Sequence, residues 1–384
     1  MGIDNIVKKE LCTGCALCVQ ICSRNCIHMR EDEEGFRYPI IDSARCIGCN
    51  VCRNMCPVAS KMTRRETESA QVYAGWSKDM DNRIASTSGG IFLELAKQMI
   101  REEGYVVGAS YTKDNSIEHI LVEDKESLWK LRQSKYAQSN IEEIYESVEE
   151  KLKSGKKVLF CGTPCEVAAI YRKMKKWKKQ LLLVDFICKG NNSPLAYKKY
   201  LNELEREYGK KITTVWFKNK DKGWNNFGTK IIFEDGTEYF KTRTEDIYML
   251  GYLNHNMFIR KSCAECCFKG YNRFSDITLG DFWGIGKKDK NLDEDLGTSF
   301  IMVNSKSGTE MLNNIKNYIK CTECDLNDAV GGNELLFSSS TIITERMRFF
   351  KYIKRMKFSK SVKQAMKEST VFKMKRIIYK ILFR

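Results

Sequence analysis

Histidine and proline are scarce in this 384-residue chain, which has only 3 His and 4 Pro. So few imidazoles argue against a zinc enzyme with histidine ligands, and so little proline argues against a proline-rich disordered chain. No 18 apolar residues run together, and the first residues lack the apolar stretch of a signal peptide. We therefore expect a cytoplasmic protein with a sizeable core, since 42% of the residues are hydrophobic.

Cysteine and basic residues, by contrast, are abundant. The chain has 17 Cys, and its 65 Lys and Arg against 49 Asp and Glu leave a net charge of +16. Cytoplasmic thiols stay reduced, so a cytoplasmic chain this rich in cysteine more often holds metal than disulfides. The composition predicts a metal held by sulfur ligands and an anionic partner for the positive charge.

The cysteines near the N-terminus form a repeat. Residues 12–22 and 46–56 both follow the spacing C-x2-C-x2-C-x3-C, 34 residues apart, and share a glycine at positions 14 and 48. Two-cluster bacterial ferredoxins have this spacing, in which three thiolates hold one cubane and the fourth crosses to the other. Paired zinc sites, the alternative, would want a longer interval between C-x2-C pairs. The pattern predicts two 4Fe–4S clusters, the first held by Cys12, Cys15, Cys18 and Cys56 and the second by Cys46, Cys49, Cys52 and Cys22.

Beyond the repeat, the pattern is that of an α/β protein. A Ser/Thr/Gly cluster at 86–90 precedes a helix at 91–100 and a strand at 105–111, and continuous apolar runs predict buried strands at 156–161 and 181–188. Ligands of open α/β sheets bind beyond the carboxyl ends of the strands, where Cys161 and Cys188 fall. We predict an α/β fold (α+β mixed) with a small dicluster ferredoxin-like N-terminal domain, a larger α/β domain and a helical C-terminal tail.

Seven short motifs follow the ferredoxin segment: Ser88-Gly-Gly90, Ser134-Lys-Tyr-Ala-Gln-Ser139, Cys161-Gly-Thr-Pro-Cys165, Asp185-Phe-Ile-Cys188-Lys-Gly, Cys263-x2-Cys266, Ser275-Asp-Ile-Thr-Leu-Gly-Asp-Phe-Trp283 and Gly297-Thr-Ser-Phe-Ile-Met-Val. Together they resemble the coenzyme F420 hydrogenase/dehydrogenase beta subunit family, in the form with an N-terminal ferredoxin domain. The resemblance covers roughly residues 1–335.

The resemblance implies a flavin-dependent oxidoreductase domain that binds FAD and a third 4Fe–4S cluster, with coenzyme F420 as the hydride-carrying substrate. It implies cluster ligands at Cys165, Cys188, Cys263 and Cys266, with Cys161 and Cys267 as neighbouring substitutes. It implies flavin or substrate contacts at Ser88, Gly89, Gly90, Lys135, Tyr136, Gln138 and Gly162. Without the resemblance, Cys165 and Cys188 would be interpreted as buried core thiols. No catalytic side chain is predicted.

Other notable residues have plainer interpretations. Cys26 is predicted to be a small apolar filler, and Cys321 and Cys324 form a C-x2-C pair without a partner pair nearby. His28, His119 and His255 are isolated and predicted to be ordinary surface or core histidines. Residues 222–227 are either a site loop or a Gly/Asn turn between strands.

The C-terminal tail is strongly basic. Residues 341–384 contain 14 Lys and Arg and 2 acidic residues, interleaved with aromatic and aliphatic ones. Such a helix can lie on an anionic membrane surface, or it can dock on the body with its lysines outward. The predicted domains are 1–59 (ferredoxin-type), 60–70 (linker), 71–150 and 151–335 (the two parts of the family domain) and 336–384 (basic tail).

The predicted function is electron transfer between a hydride carrier, coenzyme F420 or similar, at a flavin and a one-electron acceptor through 4Fe–4S clusters. A redox partner protein would dock at the ferredoxin domain, and no nucleic acid is expected because the body has no recognised nucleic-acid module. Two alternatives stay open. One is a ferredoxin-linked flavin reductase for another substrate, for example in surface polysaccharide synthesis, and the other is a non-catalytic electron-relay subunit.

Overall fold

A computed structural model of the chain describes residues 3–62 and 71–367. Residues 3–62 form an N-terminal lobe in which each half of the cysteine repeat contains a short helix. Its elements are α1 (Leu17–Gln20), β1 (Ile27–Glu31), β2 (Arg37–Ile41) and α2 (Val51–Met55). The two strands form an antiparallel hairpin. Most of the linker predicted at 60–70 lies outside the described residues.

The body carries eleven strands within the described residues. They are β3 (Gln71–Ser77), β4 (Tyr105–Tyr111), β5 (Ile117–Val122), β6 (Val158–Cys161), β7 (Leu181–Phe186), β8 (Ile212–Asn219), β9 (Gly228–Phe233), β10 (Glu238–Thr242), β11 (Ile277–Asp281), β12 (Ser299–Val303) and β13 (Ile319–Cys324). Eight of these strands form one mixed sheet in the order β13-β3-β12-β11-β7-β6-β4-β5, and β8, β9 and β10 form a small antiparallel sheet. The parts predicted at 71–150 and 151–335 therefore share one sheet.

The centre of the large sheet is parallel. Strands β4, β6, β7 and β11 are parallel neighbours, whereas β5, β12, β3 and β13 are attached antiparallel at the two sides. The central strands β6 and β7 are almost fully buried, which explains their unbroken apolar runs. Because parallel strands end at the same edge, Cys161, Phe186 and Asp281 are brought to one edge of the sheet.

Ten helices accompany these strands in the described part of the body and tail. They are α3 (Met80–Ala85), α4 (Ile91–Arg101), α5 (Ile144–Lys153), α6 (Pro164–Met174), α7 (Pro194–Tyr208), α8 (Ile247–Met249), α9 (Lys306–Asn314), α10 (Leu326–Val330), α11 (Thr344–Tyr352) and α12 (Phe358–Met366). Helix α6 begins with a capping box, in which Thr163 and Glu166 bond each other's backbone N–H groups. Over residues 3–62 and 71–367, no helix is long and apolar enough to cross a bilayer.

The tail helices α11 and α12 dock on the protein. Phe349, Phe358 and Val362 are buried in the same core as α7 and the β1–β2 hairpin, while the lysines of α12 point to solvent. For these residues the structure thus agrees with the docked alternative. The rest of the predicted tail, 368–384, lies outside the described residues.

Ion pairs and hydrogen bonds also fix the N-terminal lobe on the body. Arg37 of β2 forms an ion pair with Glu142 at 2.6 Å, and the Tyr145 hydroxyl of α5 donates to the Cys15 carbonyl at 2.8 Å. On the other side, Arg346 of α11 is paired with Glu34 in the β1–β2 turn and donates to the Ile259 carbonyl at 2.7 Å. The lobe therefore sits between the body and the tail helices.

Candidate functional site

The cysteine repeat has the same backbone shape in both halves. Gly14 and Gly48 have φ of 74° and 68°, and Ala16 and Asn50, two residues later, both have φ of 57°. Alternation of left-handed and ordinary residues turns successive backbone N–H groups toward one point, which suits an anionic group. Because both halves share this backbone shape, each half of the lobe fits a 4Fe–4S cluster.

The first cysteine set (Cys12, Cys15, Cys18 and Cys56) lies deep between lobe and body. Burial, with the neighbouring thiols of Cys56 and Cys12, raises the pKa of Cys15 to about 12. Burial and the thiols of Cys15, Cys12 and Cys56 likewise raise the pKa of Cys18. The structure thus brings together the four residues that the repeat predicts, in an environment shielded from solvent.

The second cysteine set (Cys22, Cys46, Cys49 and Cys52) lies nearer the surface. Cys49 is exposed, and burial together with the thiols of Cys49 and Cys46 raises the pKa of Cys52. Cys26, predicted to be a filler, is indeed buried, but its sulfur lies 3.4 Å from that of Cys22 and it also interacts with Cys46. A fifth thiol therefore borders this set.

The third cysteine set (Cys165, Cys188, Cys263 and Cys266) collects residues from three parts of the body. Cys165 starts α6 after β6, Cys188 follows β7, and Cys263 belongs to a short helical segment, Lys261–Glu265. Burial and the thiols of Cys263 and Cys266 raise the pKa of Cys188 to about 12. Burial, the Glu166 carboxylate and the thiols of Cys188 and Cys266 likewise raise the pKa of Cys165. The Asn191 N–H donates to the Cys263 sulfur at 3.4 Å. Four thiols therefore converge where the resemblance implies a third cluster.

In the described ranges 3–62 and 71–367, no three His, Cys, Asp or Glu side chains converge on a single metal ion. A four-iron cluster separates its thiolates more widely than one ion does, so this finding concerns single-ion sites. Cys321 and Cys324 lie along β13, where burial raises the pKa of Cys321 to about 11.

The first and third sets are neighbours across Tyr145. This residue is fully buried, and burial, Cys15, Glu166, Cys18 and Cys165 together raise its pKa. Since Cys15 belongs to the first set and Cys165 to the third, Tyr145 lies between them. The Cys52 thiol of the second set contributes to the raised pKa of both Cys18 and Cys56, so the second set borders the first. The three sets therefore follow one another from the surface of the lobe into the body.

A cavity of about 840 Å³ opens at the carboxyl edge of the parallel strands, next to the third set. Cys188 and the residues that follow β7 line it, together with the ends of β6 and β11. Its position is the one at which open α/β sheets bind ligands, and its volume lies in the upper range of ligand cavities.

Five of the seven predicted flavin or substrate residues line this cavity. They are Ser88, Gly90, Lys135, Tyr136 and Gly162. Gly89 is packed behind them, where its N–H donates to the Ser299 hydroxyl at 2.9 Å. Gln138 points elsewhere: its amide donates to the Thr13 carbonyl at 3.0 Å and accepts from Arg260, so it joins the lobe to the body.

The cavity lining carries both signs of charge. Burial lowers the pKa of Lys135 to about 7, against the attraction of the Cys161 thiol. Lys218 is paired with Asp281, and the Trp224 indole N–H donates to the same carboxylate at 3.3 Å. The Trp224 and Trp283 rings stack at 4.3 Å. Residues 222–227 therefore belong to the site's surroundings, because Trp224 supports a lining tryptophan and Phe227 lines the cavity itself.

His119 was predicted to be an ordinary surface or core histidine; it is buried with both ring nitrogens hydrogen bonded, yet it lines the cavity. One ring nitrogen lies 2.8 Å from the Ser139 hydroxyl and the other 3.3 Å from the Cys161 carbonyl, and burial lowers its pKa. Sequence reasoning also missed Lys220, whose ammonium donates to the carbonyls of Arg83, Ser88 and Leu296 at 2.6–2.8 Å. These contacts hold the Ser88 loop in place, and no local sequence pattern signals them.

Comparisons with known proteins agree with this arrangement. Residues 11–60 match the 4Fe-4S dicluster domain model. Residues 72–146 match the model of the coenzyme F420 hydrogenase/dehydrogenase beta subunit N-terminus, and residues 155–329 match that of its C-terminus.

Individual relatives were also found. An uncharacterized protein from the rpl9-rpl11 intergenic region of Porphyra purpurea is 32% identical over 71 residues, which are 18% of this chain and 95% of that protein. An uncharacterized ferredoxin of Methanocaldococcus jannaschii is 33% identical over 57 residues, 15% of this chain and 73% of that protein. A chain of the F420-reducing nickel–iron hydrogenase complex from Methanosarcina barkeri superposes with a TM-score of 0.48 and 15% identity, over 79% of this chain and 92% of that one.

Both parts of the beta subunit model are matched in order, behind a dicluster domain and over most of the described body. The chain belongs to the coenzyme F420 hydrogenase/dehydrogenase beta subunit family of oxidoreductases, in a form with an N-terminal iron–sulfur dicluster domain.

Proposed function

We propose that this protein passes electrons between a hydride carrier in the cavity, coenzyme F420 or a similar molecule, and a one-electron carrier protein at the N-terminal lobe. The observation that carries the proposal is the order of the three cysteine sets, from the exposed second set, through the buried first set and Tyr145, to the third set beside the cavity. FAD is the proposed cavity cofactor. When bound, a flavin exchanges two electrons with a hydride carrier and single electrons with iron–sulfur clusters.

The cavity residues suit a large anionic ligand. The Ser88 loop precedes the N-terminus of α4, where backbone N–H groups and the helix dipole favour phosphate. The Ser88 hydroxyl donates to the Thr298 carbonyl, so its role is to shape that loop. Lys189 and Arg243 add basic side chains to the lining, and the Tyr136 and Trp283 rings line the cavity. These residues would hold the phosphates and the ring system, while the buried lining excludes water.

The third cysteine set is proposed to hold the cluster nearest the cavity. Cys188 lines the cavity and belongs to this set, so a cluster there would receive electrons without a further carrier. The first set would hold the middle cluster and the second set the outer one. The chain's task is to keep these groups at short separations and to exclude solvent from the inner two.

The exit for electrons is proposed at the surface of the second set. Ile47 and Val51 are 65% and 42% exposed beside the exposed Cys49, and Arg24, Arg45 and Arg53 of the same lobe are exposed. Exposed apolar and basic side chains suit a small acidic electron carrier, because complementary charge speeds its encounter. We propose a cytoplasmic location, where such carriers and reduced thiols occur together.

A non-catalytic relay remains the alternative that needs a decisive test, and the intact 840 Å³ cavity favours an enzyme over it. The experiment is anaerobic purification with iron and flavin counts, followed by reduction of a viologen dye with reduced coenzyme F420. The proposal expects about twelve irons, one flavin and dye reduction. Flavin with no F420 reaction would point to a different hydride carrier or substrate, such as a glycan intermediate. About eight irons and no flavin would overturn the proposal in favour of a relay.

A further inference from the structure

Arg260 is a buried cation at the junction of the lobe and the body. Its side chain is 0% exposed. Its guanidinium donates to the Cys12 carbonyl at 2.6 Å, to the Gln138 side-chain oxygen at 2.8 Å and to the Arg37 carbonyl at 3.0 Å. It also stacks on the Tyr38 ring, 4.1 Å from the centroid. The hydrogen bonds are thus satisfied, but every acceptor is a neutral group.

Other buried arginines of the described residues have carboxylate partners. Arg83 is paired with Glu294 at 2.6 Å, Arg273 with Asp185 at 3.3 Å, and Arg346 with Glu34. For Arg260, no carboxylate lies within 4.0 Å among residues 3–62 and 71–367. Burying a charge without a counter-charge is strongly destabilising. Something anionic is therefore expected beside it.

The acidic groups around Tyr38, on which Arg260 stacks, are already engaged. Asp32 and Glu34 both raise the pKa of Tyr38, but Asp32 is paired with Lys9 at 3.5 Å and Glu34 with Arg346. What remains beside Arg260 is cysteine. Cys12 of the first set accepts its hydrogen bond, and Cys263 of the third set follows three residues later, with its N–H donating to the Arg260 carbonyl at 3.0 Å.

We propose that Arg260 is a positioning residue whose fixed charge lies between the first and third clusters and raises their reduction potentials. The inference rests on the proposed function, since it requires clusters at both sets. A 4Fe–4S cluster with four thiolates carries about −2 when oxidised and one more negative charge when reduced, so a nearby fixed cation stabilises the reduced form. The negative charge of the clusters in turn explains why a guanidinium whose hydrogen-bond acceptors are all neutral is stable in this buried position.

The Arg260 guanidinium is packed tightly against Gly14. A Cβ added to Gly14 would lie 2.9 Å from a guanidinium nitrogen of Arg260 and 2.7 Å from the Gln138 amide nitrogen. The cation is thus held against the loop that carries Cys12 and Cys15. Since Arg260 contacts the Cys12 backbone directly, the first cluster is expected to respond most.

Two variants test the charge separately from the packing. Arg260→Gln removes the cation and keeps part of its hydrogen bonding, whereas Gln138→Glu leaves Arg260 in place and gives it a carboxylate partner. Arg260→Lys, which keeps the charge, is the conservative variant. A double variant, Glu34→Gln with Arg346→Gln, is the control, because it removes an ion pair of zero net charge that holds the same lobe on its tail-facing side.

The measurement is a reductive titration of the purified protein followed by low-temperature EPR, with iron counted first. We expect Arg260→Gln and Gln138→Glu to lower the reduction equilibrium constant of the first cluster at least tenfold, which is 59 mV for one electron. Arg260→Lys should recover most of the shift, and the control should stay at the wild-type potential. Unchanged potentials in both test variants with full iron, or an equal shift in the control, would overturn the inference. Should Arg260→Gln lose its iron, Gln138→Glu decides alone.

Failure of the proposed function would look different. Wild-type protein without iron at the first and third sets would remove the clusters on which the inference rests. If the wild type and the test variants all held full iron and had the same reduction potentials, the clusters would stand and only the role of Arg260 would be removed.

Discussion

Replacing Phe358 with alanine tests whether the basic tail is part of the folded body. Phe358 is 1% exposed, and its ring lies 5.4 Å from Tyr200, 5.4 Å from Phe258 and 5.8 Å from Phe349 between centroids. Burying a phenylalanine contributes about 1.5–3 kcal/mol, and the cavity left by truncation brings the total loss to about 3–5 kcal/mol. If the free energy needed to unfold the tail helices locally falls by that amount, their amide exchange becomes more than about a hundredfold faster.

The assay is hydrogen exchange of the α11 and α12 peptides, with urea unfolding of the whole chain as a second readout. Met347→Ala on α11 is the control, because Met347 is 65% exposed and its loss should stay within about 0.5 kcal/mol. If the tail helices were a membrane anchor and did not pack on the body, both variants would exchange at similar rates. That result would refute the docked arrangement.

Further predictions concern the cofactor site, its electron exit and its second cysteine set. Lys135→Met should be more stable than wild type at pH 6. Its advantage in urea unfolding should shrink as pH rises from about 7 toward 10, because burial lowers the pKa of Lys135 and unfolding then takes up a proton; a difference independent of pH would contradict this. Ile47→Asp and Arg45→Glu should slow reduction of an acidic carrier protein and leave viologen reduction unchanged, and equal slowing of both acceptors would speak against the exit surface. Cys49→Ser should lower the iron content by about four atoms per chain, whereas Cys26→Ser should keep the full iron content. A loss of iron in Cys26→Ser would show that the Cys26 thiol is a ligand.

The local features of the fold could be predicted from the sequence. The 34-residue repeat predicted two equivalent cysteine sets, and the glycines that its halves share, Gly14 and Gly48, both have a left-handed backbone. Apolar runs predicted the strands of the parallel centre, and the predicted helix at 91–100 is α4 at Ile91–Arg101. Such features depend on neighbouring residues, so periodicity and turn residues suffice to find them.

The remainder depends on residues far apart in the chain. The resemblance assigned Gln138 to a flavin or substrate contact together with Lys135 and Tyr136, but its side chain turns toward Thr13 and Arg260. The Lys220 ammonium donates a hydrogen bond to the carbonyl of Ser88, 132 residues away in the sequence, and a periodic sequence pattern cannot predict such a contact. Tail docking likewise depends on tertiary contacts, such as that between Arg346 and Glu34, which the amphipathic pattern alone could not separate from membrane binding.

The central claim is a line of three clusters that ends at the cavity, and the iron content of one double variant tests it most directly. Cys188→Ser with Cys263→Ser removes two of the four thiols beside the cavity and leaves the N-terminal lobe intact. After anaerobic purification, we expect about twelve irons in the wild type and about eight in the variant, with the EPR signals of the lobe clusters retained. Equal iron in the two proteins would contradict the claim, because the third set would then hold no cluster.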